Sequence, residues 1–156
     1  MSALVIAPAL PEDVLMVARN MRERDRIGVL ASGRTPGEPW ALERLTQSVS
    51  IYALLEDGEP IACAGFNLER PGVLGVWFVA ARELERRLAF CIVRNGRRLL
   101  LAHLDKMAVH RLETTCLASW RGAARFLDVL GWRREGFHRK AGANGEDLIS
   151  WAMVKE

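Results

Sequence analysis

Apolar residues recur along the 156-residue chain at two periods, and the switches between them lay out the fold. Residues 3–8 form a short apolar, β-branched run that reads as a first strand. Pro11, Glu12 and Asp13 then open a helix over 11–20, because Pro suits the first helical position and acids suit the positive end of the helix dipole. Residues 22–31 predict a second short helix, closed by Ser32-Gly33. After a Pro-rich loop at 34–39, Trp40, Leu42, Leu45 and Val49 fall at helical spacing and predict a third. Strands follow at 51–55, 60–68 and 73–80, with turns at Asp57-Gly58 and at 70–72. The second and third of these are almost wholly apolar, so both faces are expected to be buried.

The longest helical pattern runs from Leu84 through Leu88, Cys91, Ile92, Asn95, Leu99 and Leu100 to His103. Arginines and glutamates fill its other face, and Gly96 weakens it in the middle. Residues 111–117 read as a strand. Ser119 is expected to cap a helix reaching about Leu130 and ended by Gly131. Two last strands, 133–139 and 148–154, are joined by the loop at Gly142–Gly145. The order β-α-α-α-β-β-β-α-β-α-β-β predicts one α+β domain over residues 1–156, with a mixed, mostly antiparallel sheet flanked by helices. The long crossover from 73–80 to 111–117 predicts that those two strands are parallel.

Composition narrows the function classes. Half the residues are hydrophobic and a quarter charged, as in ordinary globular chains. No apolar run approaches the roughly 18 residues of a membrane helix. The apolar start, 1–10, lacks a basic leader segment and reads as part of the mature protein. The formal net charge of +3 admits an anionic ligand without requiring nucleic acid. Cys63, Cys91 and Cys116 are widely spaced in apolar surroundings and read as buried, reduced thiols of a cytoplasmic protein. His103, His110 and Cys116 do not have zinc-site spacing, so no metal is expected.

The residues His110-Arg111-Leu112-Glu113, Ser119, Ala123-Ala124, Phe126-Leu127, Leu130-Gly131-Trp132 and Glu135-Gly136 form a strand–helix–strand element. It resembles the corresponding element of the GNAT acyltransferase superfamily. More narrowly, Pro11-Glu12-Asp13-Val14, the segment Asn20-Met21-Arg22-Glu23-Arg24-Asp25, Asp57–Ala62 and Trp77-Phe78-Val79-Ala80 are similar to a family of phage internal virion protein A-like proteins with a GNAT-like fold. The resemblance spans nearly the whole chain. It implies N-acyl transfer from an acetyl-CoA-type donor to an amine on a small molecule or a protein. The cofactor would lie on Trp77, Phe78, Val79, Ala80, Ala81 and Arg82, with Arg121 beside its thiol end. Phe78 and Val79 would offer backbone N–H groups to the thioester oxygen. Ser119 takes the place of a common Asn near the pantetheine arm and is the candidate catalytic side chain.

The chain departs from the superfamily pattern twice. The loop expected to cradle the CoA pyrophosphate, Val79 to Arg87, contains no glycine, and Glu83 and Glu85 fall where the long helix is expected to begin. Leu127 stands where many members carry a tyrosine that protonates the leaving thiolate, and the chain's single tyrosine, Tyr52, lies in another strand. These departures support a second function class: a catalytically silent phage protein that binds a virion or host protein, located in host cytoplasm or virion. A third class, nucleic-acid binding through the basic run 133–140 with Trp120, Arg121 and Arg125, is disfavoured, because that run also reads as an exposed hairpin. Glu43, Glu56 and Glu69 are acids near places where a general base could sit.

Overall fold

A computed structural model describes residues 2–106 and 108–156. Its elements follow the expected order: β1 (Leu4–Pro8), α1 (Pro11–Arg19), α2 (Glu23–Ala31), α3 (Glu38–Gln47), β2 (Ser48–Glu56), β3 (Glu59–Arg70), β4 (Val73–Ala80), α4 (Arg86–Leu104), β5 (Arg111–Leu117), α5 (Arg121–Leu130), β6 (Arg133–His138) and β7 (Leu148–Val154). Among the described residues the strands form one seven-stranded sheet, ordered β1-β2-β3-β4-β5-β7-β6. The β4–β5 pair is parallel, as the crossover through α4 demands, and the other pairs are antiparallel.

The helices divide between the two faces of the sheet. Residues of α1, α2 and α3 pack on Ala53, Cys63 and Val79. Residues of α4 and α5 pack on the opposite face, against Leu54, Ala62, Phe66, Leu74 and Leu112. Alternation along β4 follows from the pleat: Trp77 and Val79 face α1–α3, while Val76 and Phe78 face α4 and α5. No described helix is long and apolar enough to cross a membrane. Cys63 is buried, and burial pushes its thiol up to about 12, so it is an inert core residue.

Three expectations are corrected. The third helix stops at Gln47 and passes straight into β2, because Ser48 already has extended dihedrals. Val49 is therefore a strand residue, 59% exposed, and Leu42 is exposed as well; the buried stripe is Trp40, Ala41 and Arg44. The long helix starts at Arg86, so Glu83 and Glu85 precede its first turn, which carries no acid. It runs unbroken through Gly96, where an added Cβ would meet Leu130 Cδ2 at 3.6 Å. Ser119 is not the cap of α5: Trp120 holds that position, without a side-chain cap bond. Gly131 does end α5, in the left-handed conformation that glycine adopts freely.

One buried ion pair ties the α1–α3 layer to the end of β4. Arg22 Nε donates to Asp25 Oδ2 at 2.8 Å, and both side chains are almost fully buried. Asp25 Oδ2 also accepts the Ala80 N–H at 2.9 Å, while the Arg22 N–H donates to the Ala80 carbonyl at 2.9 Å. The start of α2 thus satisfies both backbone groups of Ala80 on the edge of β4 that faces away from β3. Arg22 and Arg24 lie over the Trp120 ring at 5.3 and 5.8 Å, which extends the link to the head of α5.

A second polar tie lies under the opposite face. His103 is 2% exposed and stacks on Phe66 with ring centroids 3.7 Å apart. Its Nδ1 lies 2.8 Å from the Leu99 carbonyl, which can only accept, so Nδ1 carries the proton. Nε2 then accepts from Ser50 Oγ at 2.9 Å, pinning α4 to β2.

Asp25→Ala leaves a buried guanidinium and the Ala80 N–H without their acceptor. It should cost about 3–5 kcal/mol in urea unfolding, and Asp25→Asn, which keeps a carbonyl acceptor, should cost less. Burial holds His103 below its ordinary value of 6.5. The unfolded chain therefore takes up this proton first, so the contribution is intact above that value and is lost as pH falls below it. Between about pH 7 and pH 5 the unfolding free energy should fall more steeply in the wild type than in His103→Gln.

Candidate active site

The site begins where β4 and β5 part. Their parallel ladder holds at Val73–Arg111, Leu74–Leu112 and Gly75–Glu113 and extends no further. Beyond it, β4 stays with β3 along its whole length, and β5 stays with β7. The parting leaves a cavity of about 1230 Å³ that reaches both faces of the sheet. On the α4–α5 side it is lined by Leu84, Ile92, Ala123, Phe126 and Leu127. On the other side it is lined by Trp40, Arg44, Asn67, Glu69 and Trp77.

Strand parity decides which backbone groups of β4 face this gap. The Ala81 N–H bonds to Ile61 O, so Ala81, Val79, Trp77 and Gly75 turn their backbone toward β3. Val76, Phe78 and Ala80 turn theirs toward the gap. Thr114 Oγ1 bonds the Val76 carbonyl at 2.8 Å, and the start of α2 holds both groups of Ala80. Phe78 lies between them, past the end of the β4–β5 ladder. Among the described residues, its N–H and C=O have no strand partner on that side.

The sequence-predicted residues separate accordingly. Trp77, Phe78 and Val79 line the cavity, but the Val79 N–H points to β3 and not into the gap. The Trp77 indole lies flat over Gly65, whose Cβ would fall 2.2 Å from the ring, and its Nε1 donates to Ser48 Oγ at 3.1 Å. The Ala80 amide is already bonded by Asp25, and Ala81 packs on the α1–α3 core. Arg82 pairs with Glu56. Ser119 and Arg121 line a smaller adjoining cavity of about 390 Å³ with Arg24, Ile27 and Trp120. Leu127 presents an apolar side chain to the main cavity, so no proton donor stands there. In the basic run 133–140, Glu135 pairs with Arg111 and Phe137 is exposed, while the Trp120 ring is covered by Arg22 and Arg24. Among the described residues no group of His, Cys, Asp and Glu could hold a metal ion.

The acids are distinguished by their partners. Glu43 accepts from Arg34 at 2.8 Å and from Arg44 at 3.0 Å, and the Arg34 bond holds its carboxyl below the usual range. Glu113 is held by Arg70 and Arg111, with the Arg70 bond the main cause of its lowered pKa. Glu56 pairs with Arg82 and accepts from Ser2. Carboxylates held below their usual range, as those of Glu43 and Glu113 are, are weak bases. Glu69 lies in the cavity wall with its Oε1 over Gly75, 2.3 Å from where a Cβ would be. Among the described residues it makes no ion pair or hydrogen bond.

Sequence reasoning missed two participants. Arg44 is 5% exposed and lines the cavity, although its spacing from Trp40 already placed it on the buried stripe. Burial and the neighbouring Arg34 lower its pKa, yet it remains a guanidinium cation. The pairing of Arg22 with Asp25 was visible only as charge alternation at helical spacing.

No family model matches the chain, and no curated protein matches it in sequence. Its fold is closely matched among solved structures. A GNAT-family acetyltransferase from Bacillus anthracis superposes with a TM-score of 0.73 at 15% identity, over 99% of this chain and 98% of that one. The Salmonella typhimurium protein yncA, solved with its cofactor acetyl-CoA, gives 0.71 at 13% identity, over 99% and 95%. An aminoglycoside acetyltransferase solved with coenzyme A gives 0.69 at 20% identity, over 98% and 95%. This chain has the α+β fold of the GNAT acetyltransferases.

Proposed function

We propose that the protein is an N-acetyltransferase that moves an acetyl group from acetyl-CoA to an amine within the β4–β5 gap. The observation that carries this reading is the pair of unpartnered backbone groups of Phe78, facing a cavity open to both faces of the sheet. The shared fold supports it, because solved neighbours bind acetyl-CoA or coenzyme A.

The residues fit such a donor. Acetyl-CoA supplies an activated acetyl group whose C–S bond breaks as the C–N bond to the amine forms. The Phe78 N–H donates to the acetyl carbonyl oxygen and stabilises the charge that develops there. The Phe78 carbonyl accepts an amide N–H of the pantetheine arm, continuing the strand's hydrogen bonding. Glu69, which no arginine hydrogen-bonds among the described residues, takes the proton lost by the amine. The departing thiolate is protonated by water, since Leu127 cannot donate. The first turn of α4 opens with Arg86 and Arg87 and bears no acid, so its N–H groups and positive dipole suit the pyrophosphate even without glycine. Arg121 and Ser119, in the adjoining cavity at the head of α5, flank the same donor.

A second reading rests on a different observation. The loop 79–87 has no glycine, and both gap-facing groups of Ala80 are already bonded by Arg22 and Asp25. This shortens the free edge of β4 that a ligand can use. The pair lies in the Asn20–Asp25 segment that carries the likeness to phage virion proteins. On this reading the fold is catalytically silent and serves a virion or host protein partner.

Calorimetric titration separates the two. Acetyl-CoA should bind with a micromolar Kd and desulfo-CoA at comparable strength; no heat at millimolar ligand would favour the silent fold. With an amine acceptor in hand, Glu69→Gln should lower kcat about a hundredfold while leaving the Kd for acetyl-CoA unchanged. An unchanged kcat would remove Glu69 as the base.

A further inference from the structure

Charge is divided unevenly between the two sides of the sheet. On the α1–α3 side, Arg19, Arg22, Arg34 and Arg44 each meet a carboxylate. On the other side, α4 carries Arg86, Arg87, Arg94, Arg97 and Arg98 and no acid, although the whole chain has a net charge of only +3. All five are exposed. With Phe90 and Leu101 they recur at three- and four-residue steps, on the side of α4 opposite its buried Leu88, Ile92, Leu100 and His103. Arg87 bonds Ser2; among the described residues the other four make no ion pair or hydrogen bond. Arg94 repels Arg97 and Arg98 one turn away, and Arg86 and Arg87 sit at the positive end of the helix dipole. An anionic partner relieves this repulsion. A second copy of the same face would add to it.

Apolar side chains stand among these arginines. Phe90 is 68% exposed and Leu101 43%. On the neighbouring α5, Val129 is 55% exposed, beside the Leu130 that lies next to Gly96 of α4. Helix α5 adds Arg121 and Arg125 against the single acid Asp128, and Asp105 follows the end of α4. Phe90, Arg94, Arg97, Arg98 and Leu101 do not line the cavity, so this surface is separate from the β4–β5 gap. A nucleic acid would answer the arginines through its phosphates, but its charged backbone offers nothing to Leu101 and Val129. A bilayer containing anionic lipid answers both: guanidinium groups bond headgroup phosphates, and protruding apolar side chains enter the edge of the acyl layer. The arginines span about 18 Å of helix, so a flat surface meets them together.

We propose that the outer face of α4 docks on an anionic lipid surface, with Arg94, Arg97 and Arg98 on headgroup phosphates and Phe90 inserted between lipids. Such docking needs no membrane-spanning helix. It goes beyond acetyl transfer and does not depend on it. The α1–α3 side of the gap then faces away from the bilayer.

The test floats the full-length protein with vesicles of equal parts phosphatidylglycerol and phosphatidylcholine, and with vesicles of phosphatidylcholine alone. The protein should bind the anionic vesicles about tenfold or more tightly than the neutral ones. An excess of single-stranded RNA or duplex DNA oligonucleotide should not release it. Arg94→Gln and Arg98→Gln should each weaken binding about fivefold. Phe90→Ser should weaken it as well and remove the part that resists high salt. Arg94→Glu with Arg98→Glu should abolish binding, while Arg133→Glu with Arg139→Glu, which removes the same charge from β6 and the loop after it, should change it little. All these side chains are exposed, so Tm should be unchanged in every variant. No binding to anionic vesicles would overturn the proposal. So would equal losses from the two charge-reversed pairs, which would leave only an effect of net charge. Release by an oligonucleotide would overturn it and assign the face to nucleic acid.

Discussion

Everything particular to this molecule depends on a parallel strand pair that is hydrogen-bonded for three residues and then separates. Each strand has a better commitment elsewhere. β4 is paired with β3 from Val73 to Ala80, and β5 is paired with β7 over its full length. The sheet behaves as two half-sheets joined at the Val73–Gly75 end. Their divergence opens the cavity and leaves an unpaired backbone edge inside a protein, which folding otherwise avoids.

That edge is rationed by its neighbours. Thr114 takes the Val76 carbonyl, and the start of α2 takes both groups of Ala80 through Arg22 and Asp25. Phe78 is left between them, so the free part of the edge is one residue long and its place is set by the buried ion pair. The two buried arginines of the α1–α3 layer make an instructive contrast. Arg22 is matched by Asp25, which does double duty on the strand, and Glu83 lies 3.9 Å from its Nη1. Arg44 shares its carboxylate with Arg34 and keeps a buried N–H unanswered.

The element order and the parallel crossover were legible because strands and helices here have clean periods and turn residues at their ends. The α3–β2 junction was not, because Gln47 passes into Ser48 with no turn residue, and Val49 prolonged the helical spacing by coincidence. Ser119 satisfied the composition rule for a helix cap, but the chain placed Trp120 there, where its ring meets Arg22 and Arg24. The site was only half visible. The β4 residues could be named from their resemblance, yet which of their amides face the gap depends on sheet parity, and that needs the register with β3. Arg44 was hidden because an arginine on an apolar stripe looks like an interruption of it. Glu69 looked like any surface acid until Glu43, Glu56 and Glu113 were each seen bound to arginine.

The most direct measurement of the central claim is the backbone amide spectrum of the ¹⁵N-labelled protein during titration with acetyl-CoA. The Phe78 amide should shift strongly and become protected from exchange, while the Trp77 and Val79 amides, already bonded to β3, keep their protection throughout. A Phe78 amide that does not move at saturating acetyl-CoA, or perturbations confined to strands away from the gap, would contradict the account.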